Sequence, residues 1–182
     1  MRIIAGQFRG RVLASVGKGD KAAHLRPTTD RVRESLFSVL THLDVIDGAR
    51  VLDLFAGTGA LGLEALSRGA AHVTFVDDGR VATGLIRQNV ALTNCAGQTT
   101  LIKRDATRLG ACPGAPFDLV FLDPPYGQGL GTRALEVALA GGWLADDALV
   151  VLEEGTPMQA PAGFEVLSTR KYGDTHVTML RL

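Results

Sequence analysis

The chain has 182 residues, 46% of them apolar, with 19 Lys/Arg balanced by 19 Asp/Glu. That composition supports a sizeable core in one domain with a small appendage, and no apolar run is long enough to cross a bilayer. The opening MRIIAGQFRGR lacks an apolar signal core, and Cys95 and Cys112 make neither a disulfide framework nor a metal knuckle, so a reduced, cytoplasmic protein is expected.

Residues 1–33 carry Arg2, Arg9, Arg11, Lys18, Lys21, Arg26, Arg31 and Arg33 against Asp20 and Asp30, a net +6 balanced by −6 over the rest of the chain. A basic arm on an acidic body is the footprint of a nucleic-acid binder, although a solvated basic surface gives the same count. Short apolar runs at 2–5 and 11–14, joined through GQFRG, predict a hairpin. Residues 15–27, Gly/Lys-rich and ending at Pro27, are expected to be a loop. This divides the chain into a basic hairpin and loop (1–27) and a larger domain (28–182). Val32, Leu36, Val39, Leu40 and Leu43 then recur with helical spacing behind cap residues Thr28, Thr29 and Asp30.

Strands and helices alternate from there. Strands are predicted at 50–55, 72–77, 99–105, 117–123 and 148–154. Helices are predicted at 59–68, 80–93 and 131–140, and a hairpin turns near Gly173-Asp174. The alternation implies a parallel α/β sheet covered on both faces, with the terminal hairpin adding an antiparallel strand.

Between the first strand and the following helix lies FAGTGALG, a G-x-G-x-x-G turn at Gly57, Gly59 and Gly62. Such a turn brings backbone N–H groups to a ligand at the carboxyl ends of the strands. Asp77, twenty residues after Gly57, can accept both hydroxyls of an adenosine ribose, which fits NAD and S-adenosylmethionine equally. Asp53 separates them: a carboxylate this close repels a pyrophosphate but suits an ammonium or sulfonium. Asp53 can equally serve only to brace the turn.

The strand at 117–123 ends in Asp123-Pro124-Pro125-Tyr126. Two prolines stop the ladder and fix a rigid turn. The Asp123 carboxylate and a neighbouring carbonyl can receive the two hydrogens of an exocyclic amine, and Tyr126 offers a face for a base, worth about 1–3 kcal/mol. That suits N-methylation of a nucleobase, whose amine lone pair must be drawn out of ring conjugation. A Pro-Pro turn that merely ends a strand is the plainer alternative.

These residues, with MRIIAGQFRGR, LRPTTDRVRESLF (25–37), LDLFAGTGALGLEALSRGA (52–70), FLDPPY (121–126) and GWLADDALVVLE (142–153), resemble the bacterial RsmD-like 16S ribosomal RNA guanine-N2 methyltransferases over most of the chain. The resemblance implies a class I, Rossmann-like methyltransferase fold: a seven-stranded, mostly parallel sheet with one antiparallel strand, preceded by a small hairpin. It implies S-adenosyl-L-methionine as donor. It implies as target a guanine of 16S rRNA, within the small ribosomal subunit or an assembly intermediate. A monomer is expected. It places Asp53 and the turn Phe55, Ala56, Gly57, Thr58 and Gly59 along the donor's methionine half, Asp77 on its ribose, and Asp78, Asp105 and Ala106 on the adenine side. Asp123, also counted among the donor contacts, acts with Pro124, Pro125 and Tyr126 on the guanine amine. The sequence departs from the family pattern at VDDGR after the second strand, and in a longer, more polar 15–27 loop.

Arg9, Arg11, Arg26, Arg31 and Arg33 are the candidate RNA contacts. Arg31 and Arg33 are two positions apart on a helix and cannot share a face. Phe8 is a stacking candidate or a packing residue. His24, His42, His72 and His176 lack ligand spacing, so no metal is expected. A DNA adenine-N6 methyltransferase needs the same amine geometry, but little chain is left for a DNA-reading domain. A catalytically silent RNA-binding assembly factor is the other alternative.

Overall fold

The computed structural model describes residues 1–16 and 29–182. Helix α1 (Asp30–His42) starts where the Thr29 side chain accepts the Val32 N–H. Strands β1 (Arg50–Leu54), β2 (His72–Asp77), β3 (Thr99–Lys103), β4 (Phe117–Leu122) and β5 (Leu144–Glu154) follow. Helices α2 (Ala60–Ser67), α3 (Arg80–Thr93) and α4 (Leu130–Ala140) connect them, and β6 (Glu165–Tyr172) and β7 (Thr175–Arg181) close the chain as a hairpin. They form one seven-stranded sheet in the order β3-β2-β1-β4-β5-β7-β6. Strands β1 to β5 pair in parallel, and β7 runs antiparallel between β5 and β6.

Side-chain alternation divides the core between the two faces. Val51, Phe75, Leu119, Phe121 and Val151 pack with Leu36, Phe37 and Leu40 of α1 and Leu63 and Leu66 of α2. Leu54, Val76, Val120, Leu122 and Leu152 pack with Ala134, Leu135 and Ala138 of α4.

Two element limits differ from the sequence reading. The third strand stops at Lys103, because Asp105 turns to cap a short 3-10 helix, Ala106–Arg108, by accepting the Thr107 N–H. The fifth begins earlier, at Leu144: Asp147 adopts φ 32° and the β4–β5 register shifts after Phe117, so the two adjacent aspartates lie inside a kinked strand rather than a turn.

The N-terminal hairpin reduces to a single antiparallel bridge, Arg2 with Val12, around a tight turn. Ile3 and Leu13 are buried in the same core as α1 and α2, and Phe8 packs against it rather than standing out to stack. Glu64, wholly buried in α2, fastens this segment: its carboxylate accepts the Ile4 N–H (2.8 Å), the Ala5 N–H (3.1 Å) and Arg68 Nε–H (2.8 Å). Asn89 of α3 adds a second tie. It accepts the Ala14 N–H (2.7 Å) and donates to the carbonyls of Ala14 (3.0 Å) and Thr58 (2.9 Å), linking the segment to the glycine turn. The expected division at 27/28, Arg26 and most of the 15–27 loop lie outside the described residues.

Candidate active site

The register aligns the carboxyl ends of four parallel strands. Leu54 pairs with Val76 and with Leu122, and Leu122 pairs with Leu152. The next residue of each strand therefore falls in one row: Asp77, Phe55, Asp123 and Glu153. In an open α/β sheet this edge is where ligands bind.

The glycine turn is built as its sequence suggests. Gly57 and Gly59 adopt φ 59° and 78°, and Phe55, which carries a side chain, is also left-handed at φ 57°. A non-glycine residue held there marks a backbone fixed by its surroundings. Two carboxyl groups supply that constraint. Asp53 Oδ2 accepts the Gly62 N–H (2.9 Å), and Asp77 accepts the Gly57 N–H (2.9 Å) and the Gly79 N–H (2.8 Å).

Their electrostatics follow from burial. Asp53 is 1% exposed, and desolvation, only partly offset by the Gly62 N–H, pushes its pKa up to about 8. Desolvation also raises Asp77, against the Gly57 and Gly79 hydrogen bonds. Asp105 is shifted down, first by the Thr107 hydroxyl and then by the Thr107 N–H. Asp78 is exposed and Ala106 buried. Residues 55–59 contain no Lys or Arg. A turn free of basic side chains, with Asp77 beside it as an acceptor, fits a hydroxyl-bearing ligand and offers no counter-charge to a pyrophosphate.

At β4, Pro124 is buried, and a Cβ on Gly131 would come within 3.2 Å of its Cγ, so the first proline is wedged against α4. Glu154 holds the loop beyond, accepting the Gly127 N–H (2.9 Å) and the Gly155 N–H (2.8 Å). The Tyr126 ring lies against Gly155, and its hydroxyl is 2.9 Å from Thr175 Oγ1. A cavity of about 680 Å³ opens beside Tyr126, between Arg31 and Ser35 of α1, Glu153 of β5, and Tyr172 and Thr175 of the terminal hairpin. Its volume falls in the range of about 300–1,000 Å³ usual for small-molecule and cofactor sites.

The expected RNA-contacting arginines separate. Arg9 and Arg11 are exposed on the N-terminal turn, and Arg31 is exposed at the cavity. Arg33 is a correction: it is 0% exposed, its Nη2 donates to the Arg2 carbonyl and to Asp30 Oδ1, and it cannot reach an RNA phosphate. Burial lowers its pKa while Glu64 and Asp30 oppose the shift. Among the described residues no group of three or more His, Cys, Asp or Glu side chains is placed to hold a metal ion, and no helix is long and apolar enough to cross a membrane.

Glu64, Asn89, Thr175 and Glu153 were not singled out from sequence. For Glu64 and Asn89 the available signal was a polar residue at a core position of an apolar helix face. Glu153 and Thr175 become neighbours of Tyr126 only through the sheet order.

The family model described as Conserved hypothetical protein 95 matches residues 1–181. Ribosomal RNA small subunit methyltransferase D of Escherichia coli (strain K12) is 44% identical over 153 residues, 84% of this chain and 74% of that protein. The protein of the same name from Haemophilus influenzae is 35% identical over 178 residues, 95% of this chain and 89% of its own. The solved structure of Escherichia coli yhhF superposes with a TM-score of 0.85 at 40% identity, covering 100% of this chain and 97% of that one. The magnesium protoporphyrin IX methyltransferase of Synechocystis, at 17% identity and a TM-score of 0.65, shares the fold.

Proposed function

This chain belongs to the RsmD-like family of methyltransferases, and from that premise we propose that it transfers a methyl group from S-adenosyl-L-methionine to the exocyclic N2 amine of a guanine in 16S rRNA of the small ribosomal subunit. The observation that carries the reading is the Asp123–Tyr126 turn, one strand from the glycine turn in a shared row and opening beside the cavity.

The residues divide the work. Asp53, the turn Phe55 to Gly59, Asp77, Asp78, Asp105 and Ala106 would hold the donor. When bound, the donor supplies a methyl carbon made electrophilic by its sulfonium. Asp123 and the Pro124 carbonyl each accept one N–H of the guanine amine, which draws its lone pair out of the ring and aims it at the donor site. The wedged Pro124 and the Glu154-braced loop keep these acceptors from swinging away. After transfer the amine nitrogen carries a surplus proton, and Asp123 accepts it. Tyr126, held through Thr175, covers one face of the base. Arg9, Arg11 and Arg31 contact RNA phosphates.

Asp123→Ala tests the assignment. Loss of one aligned hydrogen-bond partner at the reacting group lowers turnover on undermethylated small subunits by about 100- to 1000-fold, while S-adenosylhomocysteine binding, read by calorimetry, weakens far less. Tyr126→Ala behaves likewise. Full turnover in either variant would remove these residues from the site.

A further inference from the structure

Glu153 has no part in the reaction as set out above, yet it sits where a base edge has to be read. It is 2% exposed and still lines the cavity beside Tyr126. The Leu122–Leu152 pair puts Asp123 and Glu153 next to each other on adjacent parallel strands, about 4.8 Å apart in backbone. Along β5, Glu153 shares a face with Val151, the face covered by α1, from which Arg31 and Ser35 close the cavity. Its charge is also felt at Asp53, two strands away in the same sheet.

A guanine whose N2 amine is held by Asp123 and Pro124 presents N1 as the next atom on the same edge. In guanine N1 carries a hydrogen; in adenine and in 2-aminopurine it carries a lone pair. A carboxylate only accepts hydrogen bonds. We propose that Glu153 accepts the N1–H of the target guanine and is the residue that rejects purines lacking that hydrogen. The proposal rests on the guanine-N2 reading above and adds to it the group that enforces base identity. A site built to receive an N–H strongly disfavours an analogue without it, because its own polar group is then left facing a lone pair.

The test uses small subunits reconstituted with ligated 16S rRNA carrying either guanine or 2-aminopurine at the target nucleotide. 2-Aminopurine keeps the amine to be methylated and replaces the N1–H with a lone pair. The wild-type protein methylates guanine in strong preference. In Glu153→Gln the side-chain amide can donate to the 2-aminopurine N1, so the guanine-to-2-aminopurine ratio of kcat/KM narrows by about tenfold or more. Glu153→Asp stays acceptor-only and retains the wild-type direction of preference at a lower rate. S-adenosylhomocysteine binding by each variant verifies the fold, and Glu153→Asp alone decides the matter should Glu153→Gln not fold. An unchanged ratio in Glu153→Gln, or a ratio in Glu153→Asp collapsed toward unity, would overturn the role of Glu153 while leaving guanine methylation standing. Failure of the wild-type protein to label guanine at all would end both readings together.

Discussion

Replacing Glu64 with Ala would remove the anchor of the N-terminal segment. Three hydrogen bonds end on this buried carboxylate, from Ile4 N–H, Ala5 N–H and Arg68 Nε–H. It also offsets the buried Arg33 guanidinium, whose Nε and Nη1 have no hydrogen-bond partner among the described residues. Leaving buried N–H groups unsatisfied costs about 1–3 kcal/mol each, and stripping a buried charge of its counterpart costs about 3–5 kcal/mol. These penalties share one site and do not add, so the expected loss is about 3–5 kcal/mol, a large part of the ~5–15 kcal/mol that holds an ordinary domain. Urea unfolding reads this as a midpoint lowered by roughly 1–2 M with an unchanged slope. Hydrogen exchange at Ile4 and Ala5 should accelerate well beyond that of the β1 and β4 amides. A loss below about 1 kcal/mol, or exchange at Ile4 and Ala5 unchanged, would refute the clamp.

Three further outcomes follow from the same packing. Gly62→Ala would bring a Cβ to 2.5 Å from Phe75 Cε1 and 2.6 Å from Val73 Cγ1, so it should cost about 1–3 kcal/mol in thermal or urea unfolding and weaken donor binding by disturbing the turn. Asp53 favours its protonated form in the fold, so the stability this gives is complete below its unfolded pKa near 3.8 and is lost as pH rises through about 8. Asp77 shifts in the same direction. The urea midpoint should therefore fall from pH 5 to pH 8, and Asp53→Asn, which keeps an acceptor for the Gly62 N–H, should flatten that slope. A midpoint rising over this range would contradict the assignment. Arg31→Ala should weaken RNA binding and reduce its salt dependence by about one counterion, whereas Arg33→Ala should lower stability. The reverse pattern in filter binding and unfolding would overturn their placement.

The strand–helix alternation was legible because parallel strands buried on both faces read as near-continuous apolar runs. Both motifs were legible because glycine and proline report backbone geometry directly. What the sequence withheld depends on partners distant along the chain. Arg31 and Arg33 were separable by helical spacing, but only packing against Arg2 and Asp30 reveals that Arg33 is the inward one. Phe55 looks like an ordinary strand end, and its left-handed backbone is imposed by the turn that Asp53 and Asp77 hold. The start of β5 is not legible locally, because paired aspartates signal a turn, while pairing with β4 holds them in a kinked strand. Glu153 carried no local mark at all; its place beside Tyr126 comes from the order of strands in the sheet.

The central claim is tested most directly by incubating the protein with labelled S-adenosylmethionine and undermethylated small subunits, digesting the RNA, and identifying the labelled nucleoside. The account predicts label in N2-methylguanosine at a single 16S position. Label in N6-methyladenosine, or none in the RNA of a protein that binds the donor, would contradict it.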